Sequence, residues 1–325
     1  MALLAACGWQ ACEAAAAPAV APSIEAASGA RVGVQVKVET FHSTDAQAIQ
    51  AAGFSFVRLG IWTNRLHDAA YRKRVRAAFT AADQSALPVL ITLRSTQPLI
   101  GDTANPSRSA ALEAAGKQFA ESVLEVEREF GRQIIAIELW NEPDLDKYWP
   151  TGNASVTFAP FMGGVCAELA ARPHAVPIYG FGFSRAPVRG TPSDTLLREV
   201  ARAQPLCVDA ISYHAYGMTP SAIRSAAQDI RARYGVPAVI TEWGVPSAGI
   251  VGSEAEQARL IRYFLLAVQD VQTPLVSIYE WKDTLSGSNA RERSFGLVDA
   301  AGNAKPSLEG ARAVLPASLR KTPAR

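Results

Sequence analysis

The chain has 325 residues, 49% hydrophobic and 19% charged, with 32 basic against 30 acidic side chains for a net charge of +2. That composition excludes a disordered chain, because there is ample apolar surface to bury. The charge balance gives no basic patch for nucleic acid, so none is expected as a partner.

The chain opens on Leu4-Ala5-Ala6-Cys7, which resembles the lipobox of bacterial lipoproteins, where the cysteine carries the lipid. Only six residues precede Cys7 and none is basic, so the segment reads as a truncated signal. The resemblance implies a lipid anchor at Cys7 and a place in the bacterial cell envelope or outside it; the other reading is an Ala-rich tail with a chance cysteine. Residues 8–30 are rich in Ala, Pro, Ser and Gly without periodicity and read as a linker. No internal apolar run approaches the ~18 residues a bilayer span needs. One domain is expected over residues 31–318, with a short tail at 319–325.

From residue 31 apolar runs and helical patterns alternate. Strands are expected at Val32–Val38, Phe54–Ile61, Pro88–Leu93, Ile134–Leu139, Pro177–Phe181, Val208–Tyr213, Pro237–Thr241 and Leu275–Tyr279. Nearly all are continuous apolar stretches, as parallel strands buried on both faces should be. Helices are expected at Ser43–Ala52, Asp68–Asp83, Ser107–Phe130, Ser155–Ala171, Ser193–Ala203, Pro220–Tyr234, Ser253–Asp270 and, more weakly, Ser307–Val314. Gly53 and Gly235 stand where C-caps belong. Ser253 and Glu256 have the spacing of a capping box.

Eight β/α pairs in one chain predict an α/β fold, a (β/α)8 TIM barrel in a single domain. A doubly wound sheet is the competing architecture. It would usually carry a glycine-rich phosphate loop after its first strand. Here that strand leads into Glu39-Thr40-Phe41-His42. The barrel gathers all strand C-termini on one face, where active sites are built. Glu142, in Ile137-Glu138-Leu139-Trp140-Asn141-Glu142-Pro143-Asp144, and Glu242, in Thr241-Glu242-Trp243-Gly244, fall at the ends of strands four and seven. Two carboxylates so placed are the equipment of a glycosidase.

Those two motifs, with the strand order, resemble the clan A glycoside hydrolases, most closely families 5 and 39. The resemblance implies a retaining β-glycoside hydrolase with Glu142 as acid/base and Glu242 as nucleophile. It also implies that Arg58 lies beside the nucleophile, that Asn141 binds the sugar 2-hydroxyl and that Trp281 floors the sugar site. In Ser212-Tyr213-His214-Ala215-Tyr216, Tyr216 would donate to the nucleophile and His214 would contact substrate. His42, on the loop after the first strand, and Trp149, on the loop after the fourth, are expected to face the cleft. Arg94 departs from the pattern, since family 5 enzymes carry histidine at the end of strand three. It reads either as half of an internal salt bridge or as a contact for an acidic sugar.

The implied substrate is an extracellular or cell-surface polysaccharide, cut internally. The mechanism needs neither cofactor nor metal, and no His/Asp/Glu cluster in the sequence has metal-ligand spacing. A non-catalytic carbohydrate-binding barrel in a polysaccharide export assembly, and a transglycosylase using the same residues, are the other readings. A monomer is the default. Cys166 and Cys207 could pair in an exported protein or remain buried thiols.

Overall fold

The computed structural model describes residues 30–101, 108–249 and 252–315. Cys7, the linker and Ser107 lie outside them. Eight parallel strands close a barrel in sequence order. They are β1 (Arg31–Val36), β2 (Val57–Trp62), β3 (Val89–Arg94), β4 (Ile134–Leu139), β5 (Ile178–Phe183), β6 (Ala210–His214), β7 (Ala238–Trp243) and β8 (Leu275–Ile278). The ring of helices is α1 (Ser43–Ala52), α2 (Ala69–Gln84), α3 (Arg108–Phe130), α4 (Ala154–Ala171), α5 (Pro192–Ala203), α6 (Pro220–Tyr234), α7 (Glu254–Ala267) and α8 (Pro306–Arg312). This is the single-domain (β/α)8 TIM barrel that the alternation predicts. Two boundaries matter for the site. β7 runs past Thr241 to Trp243 and β6 reaches His214, so Glu242 and His214 belong to the barrel wall.

Local chemistry explains the elements. Asp68, Thr191, Thr219 and Ser253 cap α2, α5, α6 and α7, each side chain accepting backbone N–H groups of the first turn. Gly53 and Gly235 end α1 and α6 with φ of 94° and 74°, a conformation that costs a residue with a Cβ. α4 is long and apolar enough to cross a membrane by length and composition. Here Phe158, Phe161, Met162 and Val165 of α4 are buried in the protein's own core.

The barrel interior is layered. At the bottom Phe56, Leu90, Ala136, Tyr179, Ala210, Val239 and Leu275 form an apolar cluster of their own. Phe56 fills the space beside Gly33, where any Cβ would collide with its ring. Strand side chains alternate between inside and outside with period two. Two residues further along, the inward face therefore carries Arg58, Thr92, Glu138, Ser212, Thr241 and Ser277, all buried. Two residues beyond that, at the mouth, come Lys37, Arg94, His214 and Tyr279. The barrel thus changes from apolar to polar along its axis, and its polar end is the C-terminal one.

Cys166 of α4 is joined to Cys207, between α5 and β6, with Cα atoms 5.2 Å apart. Of the two readings open in the sequence, the paired one holds. The bond closes a loop across 41 residues, which in the chain-entropy account stabilises the fold by roughly 4 kcal/mol. A Cys207→Ser variant is expected to lose about that much in denaturant unfolding. The wild type should lose it only in the presence of reductant.

Candidate active site

Glu142 sits just past β4 on a strained turn. Trp140 and Glu142 have φ of 79° and 51°, which costs a non-glycine residue about 1 kcal/mol each. The turn is held from several sides. Trp140 N–H donates to Leu93 O at 2.8 Å, and Glu142 N–H donates to Gly182 O at 2.8 Å. Asp144 accepts from Ser184 N–H, Ser184 Oγ and Ser193 Oγ at 2.9, 2.6 and 2.9 Å. Gly182 has a φ of +58°, and a Cβ there would lie 3.0 Å from both Glu138 Oε1 and Trp140 O. Strain held in place by this many bonds fixes the carboxylate before a ligand arrives.

Glu242, on β7, is gripped from below. Arg58 Nη1 bonds Glu242 Oε1 and also Gln35 Oε1. The same guanidinium bonds Glu138 Oε2 through Nε at 3.2 Å and Nη2 at 2.6 Å, and donates to Asn141 Oδ1 at 3.1 Å. Thr92 Oγ1 adds a donor to Glu138 at 2.5 Å. Burial opposes charge on Arg58, but Glu138 and Glu242 beside it hold its pKa above the ordinary value. Burial likewise opposes charge on Glu138, yet Arg58 and then His214 keep its carboxyl below the usual range. Arg58 therefore stays charged and offers a fork to two carboxylates at once.

Two side chains from the end of β6 finish the pair. Tyr216 O–H donates to Glu242 Oε2 at 2.9 Å. Burial first, then Glu242, push the phenol well above its ordinary range, so it keeps the proton it donates. His214 Nδ1 lies 2.7 Å from Glu142 Oε1 and 3.5 Å from Glu242 Oε2. Burial opposes an imidazolium here, but Glu242 and Glu142 outweigh it and raise the histidine above its ordinary value. One donor atom each from Glu142, His214 and Glu242 lies within 4.8 Å of the others. Such a trio could also hold a divalent cation. The ion would have to enter beside the Arg58 guanidinium on Glu242 and displace His214 from Glu142.

The structure thus brings Arg58, Asn141, His214 and Tyr216 together with both glutamates. For His214, expected to contact substrate, the structure places Nδ1 against the two carboxylates and leaves Nε2 without a partner among the described residues. Three other residues are placed elsewhere. Trp149 is fully buried among Trp140, Phe158 and Phe161, its indole N–H donating to Thr157 Oγ1 at 2.8 Å, so it is a core residue and no sugar platform. Trp281 is only 3% exposed and its indole N–H bonds Asp45 of α1 at 3.2 Å, so it presents no open face. His42 is exposed at the start of α1, where its N–H donates to Asp45 Oδ2 at 3.1 Å. Arg94 is half-buried at the end of β3, with its guanidinium carbon 5.3 Å from the centre of the Tyr148 ring.

Four residues went unnoticed in the motifs. Glu138 and Gln35 complete the grip of Arg58. Tyr279 is half-exposed at the mouth, edge-on to Tyr216 at 6.3 Å between centroids, where an aromatic floor was expected from Trp281. Glu280 follows it, 1% exposed, with Oε2 at 2.8 Å from Lys37 Nζ. For Gln35, Glu138 and Tyr279 the signal is the strand period, since each stands at an inward position that interrupts or ends an apolar run; Glu280 lies past β8 and out of that phase.

Glu280 has a measurable consequence. Burial pushes its carboxyl up to about 7 from an ordinary value of 4.5, with Lys37 opposing. A folded value above the unfolded one gives stability that is complete below pH 4.5 and lost as pH rises through about 7. The loss amounts to roughly 3 kcal/mol. Glu280→Gln should therefore gain on the wild type by about that amount from acid to mildly alkaline pH, measured by denaturant unfolding. A gap that stays constant with pH contradicts this.

No protein-family model matches the sequence, and no curated protein matches it. Solved structures do. A family 39 glycoside hydrolase from the gut symbiont Bacteroides cellulosilyticus WH2 superposes with a TM-score of 0.65 at 18% identity, over 88% of this chain and 63% of its own. The exo-β-1,4-mannosidase Op5Man5 from Opitutaceae bacterium strain TAV5 gives 0.62 at 16% identity, over 88% and 60%. A GH5_18 from Bifidobacterium longum subsp. infantis gives 0.66 at 15% identity, over 88% and 78%. The chain therefore spans less than two thirds of the length of the first two. At these identities the likeness establishes the barrel fold, and the families it is found in are the two that the sequence motifs resemble.

Proposed function

We propose that the protein is a retaining β-glycoside hydrolase acting on an extracellular or cell-surface polysaccharide. The observation that carries this reading is the approach of Glu142 and Glu242, with donor atoms within 4.8 Å across the barrel mouth. Retaining enzymes hold their two carboxyl groups about 5–5.5 Å apart, whereas inverting ones need about 6.5–9.5 Å to admit a water. The surroundings support different roles for the two acids. Arg58 and Tyr216 each donate to one oxygen of Glu242. His214 stands against Glu142 at 2.7 Å, where a proton can be held between the two.

In the first step Glu242 attacks the anomeric carbon while Glu142 gives its proton to the leaving oxygen, and the glycosidic bond breaks. In the second, Glu142 takes a proton from water. The oxygen of that water attacks the anomeric carbon and releases Glu242. Asn141, its Oδ1 held by Arg58, keeps its amide N–H groups for a sugar hydroxyl. The Cys166–Cys207 disulfide supports a site of action in an oxidising compartment outside the cytosol.

The test is incubation of purified protein with a panel of β-linked polysaccharides, followed by mass analysis of the products. Oligosaccharides of mixed length are expected from internal cleavage. Release of monosaccharide alone contradicts internal cleavage, and no release from any member contradicts the hydrolase.

A further inference from the structure

Arg94 has no acidic partner among the described residues. Four other cations around the barrel are matched: Lys37 with Glu280, Arg58 with Glu138 and Glu242, Lys282 with Asp45, Lys305 with Asp283. Among the described residues no carboxylate lies within ion-pair distance of Arg94, so the internal salt bridge expected for it is not there. It lies instead over the ring of Tyr148, 5.3 Å from the guanidinium carbon to the ring centre. Lys147, equally without an ion pair among the described residues, places Nζ 4.7 Å from the centre of the same ring. Two cations thus gather on one half-exposed aromatic with no acid between them.

Their position is not peripheral. Leu90, Thr92 and Arg94 share the inward face of β3, and Arg94 is the member at the mouth. The neighbouring β4 leads directly to Asn141 and Glu142. Glu142 and Glu242 act on Arg94 only at longer range, and burial lowers its pKa, the direction expected of a guanidinium short of a counter-charge. Leaving a half-buried cation unpaired is unfavourable unless something completes it. Neutral sugar hydroxyls do so poorly. A planar carboxylate matches the guanidinium fork through two parallel hydrogen bonds.

We propose that Arg94, with Lys147 and Tyr148, forms a subsite for a sugar bearing an anionic group, a uronate carboxylate or a sulfate ester, next to the bond that Glu142 protonates. The proposal rests on the glycoside-hydrolase reading of Glu142 and Glu242. The two cations take the charge of the sugar, with the ring of Tyr148 packed against both. Arg94 is then the residue that selects an acidic over a neutral glycan.

The experiment measures binding by calorimetry to the Glu242→Gln protein, which does not turn its ligand over. The ligands are β-1,4-linked glucuronate and mannuronate tetrasaccharides, their carboxyl-reduced counterparts, and 6-O-sulfated forms of the latter. At least one anionic ligand should bind about ten-fold or more tightly than its neutral counterpart. Adding Arg94→Gln should erase that preference by weakening the anionic ligand about ten-fold more than the neutral one, and Arg94→Lys should restore part of it. Preference for the uronate or for the sulfate identifies the anionic group. Equal binding of anionic and neutral forms, an anionic preference that survives Arg94→Gln, or no binding of any anionic ligand overturns the proposal. Wild-type protein that cleaves only neutral members keeps the hydrolase reading and removes this one. Arg94-dependent binding of acidic members that are never cleaved does the reverse.

Discussion

Replacing Glu242 with Gln is expected to lower kcat on the order of 10⁴-fold or more while leaving the fold in place. The amide has the shape of the carboxylate and can still accept from Tyr216, but it is too weak a nucleophile to form the glycosyl ester. Arg58 keeps its two bonds to Glu138 in the variant, so its charge is not stranded. Thermal unfolding should therefore change far less than the rate. Glu242→Gly carries the test further. It opens the space below the anomeric carbon, and azide added with an activated aryl glycoside should restore turnover and appear as an α-glycosyl azide. Undiminished hydrolysis by either variant removes Glu242 from the mechanism.

The second large effect is on stability. Arg58→Met should destabilise the barrel by about 3–5 kcal/mol, the penalty of leaving buried carboxylates without their counter-ion. For a domain of this size that lowers the unfolding temperature on the order of 10 °C. Glu138 is 0% exposed and Glu242 7%, so neither can turn to water for compensation. The loss should be smaller when Glu138→Leu accompanies Arg58→Met, since the stranded charge is then removed as well. Arg58→Lys keeps a charge without the fork and should fall between wild type and Arg58→Met. An unfolding temperature unmoved by Arg58→Met would mean that the polar layer is held by something other than this guanidinium.

How far the sequence carries depends on what each residue's signal encodes. The barrel is legible because eight apolar runs separated by helical periods leave few architectures. Glu142 and Glu242 are legible because a turn residue follows each at the end of such a run. Glu138 and Gln35 are legible in principle: the period that turns Phe56 and Leu90 inward also turns Arg58, Thr92 and Glu138 inward, so a polar residue at that phase points into the barrel. Reading the strands as uniformly apolar hides it. The tryptophans fail for a different reason. Past the last strand residue the period lapses, and nothing local says which way a side chain turns. β8 ends at Ile278, so the phase reaches Tyr279 but not Trp281, which bends back to Asp45 of α1. Trp149 is claimed by aromatic rings of α4, a tertiary contact with no trace in the loop that carries it. The pairing of Cys166 with Cys207 depends on α4 packing beside the segment before β6, which spacing alone does not give.

The central claim is that Glu142 and Glu242 act in succession through a covalent intermediate, with retention at the anomeric carbon. The most direct measurement is proton NMR of the reaction as it starts, on a β-linked oligosaccharide that the enzyme cleaves. The β-anomer of the new reducing end should appear first and only later mutarotate. An α-anomer appearing first would require direct displacement by water and would contradict the account.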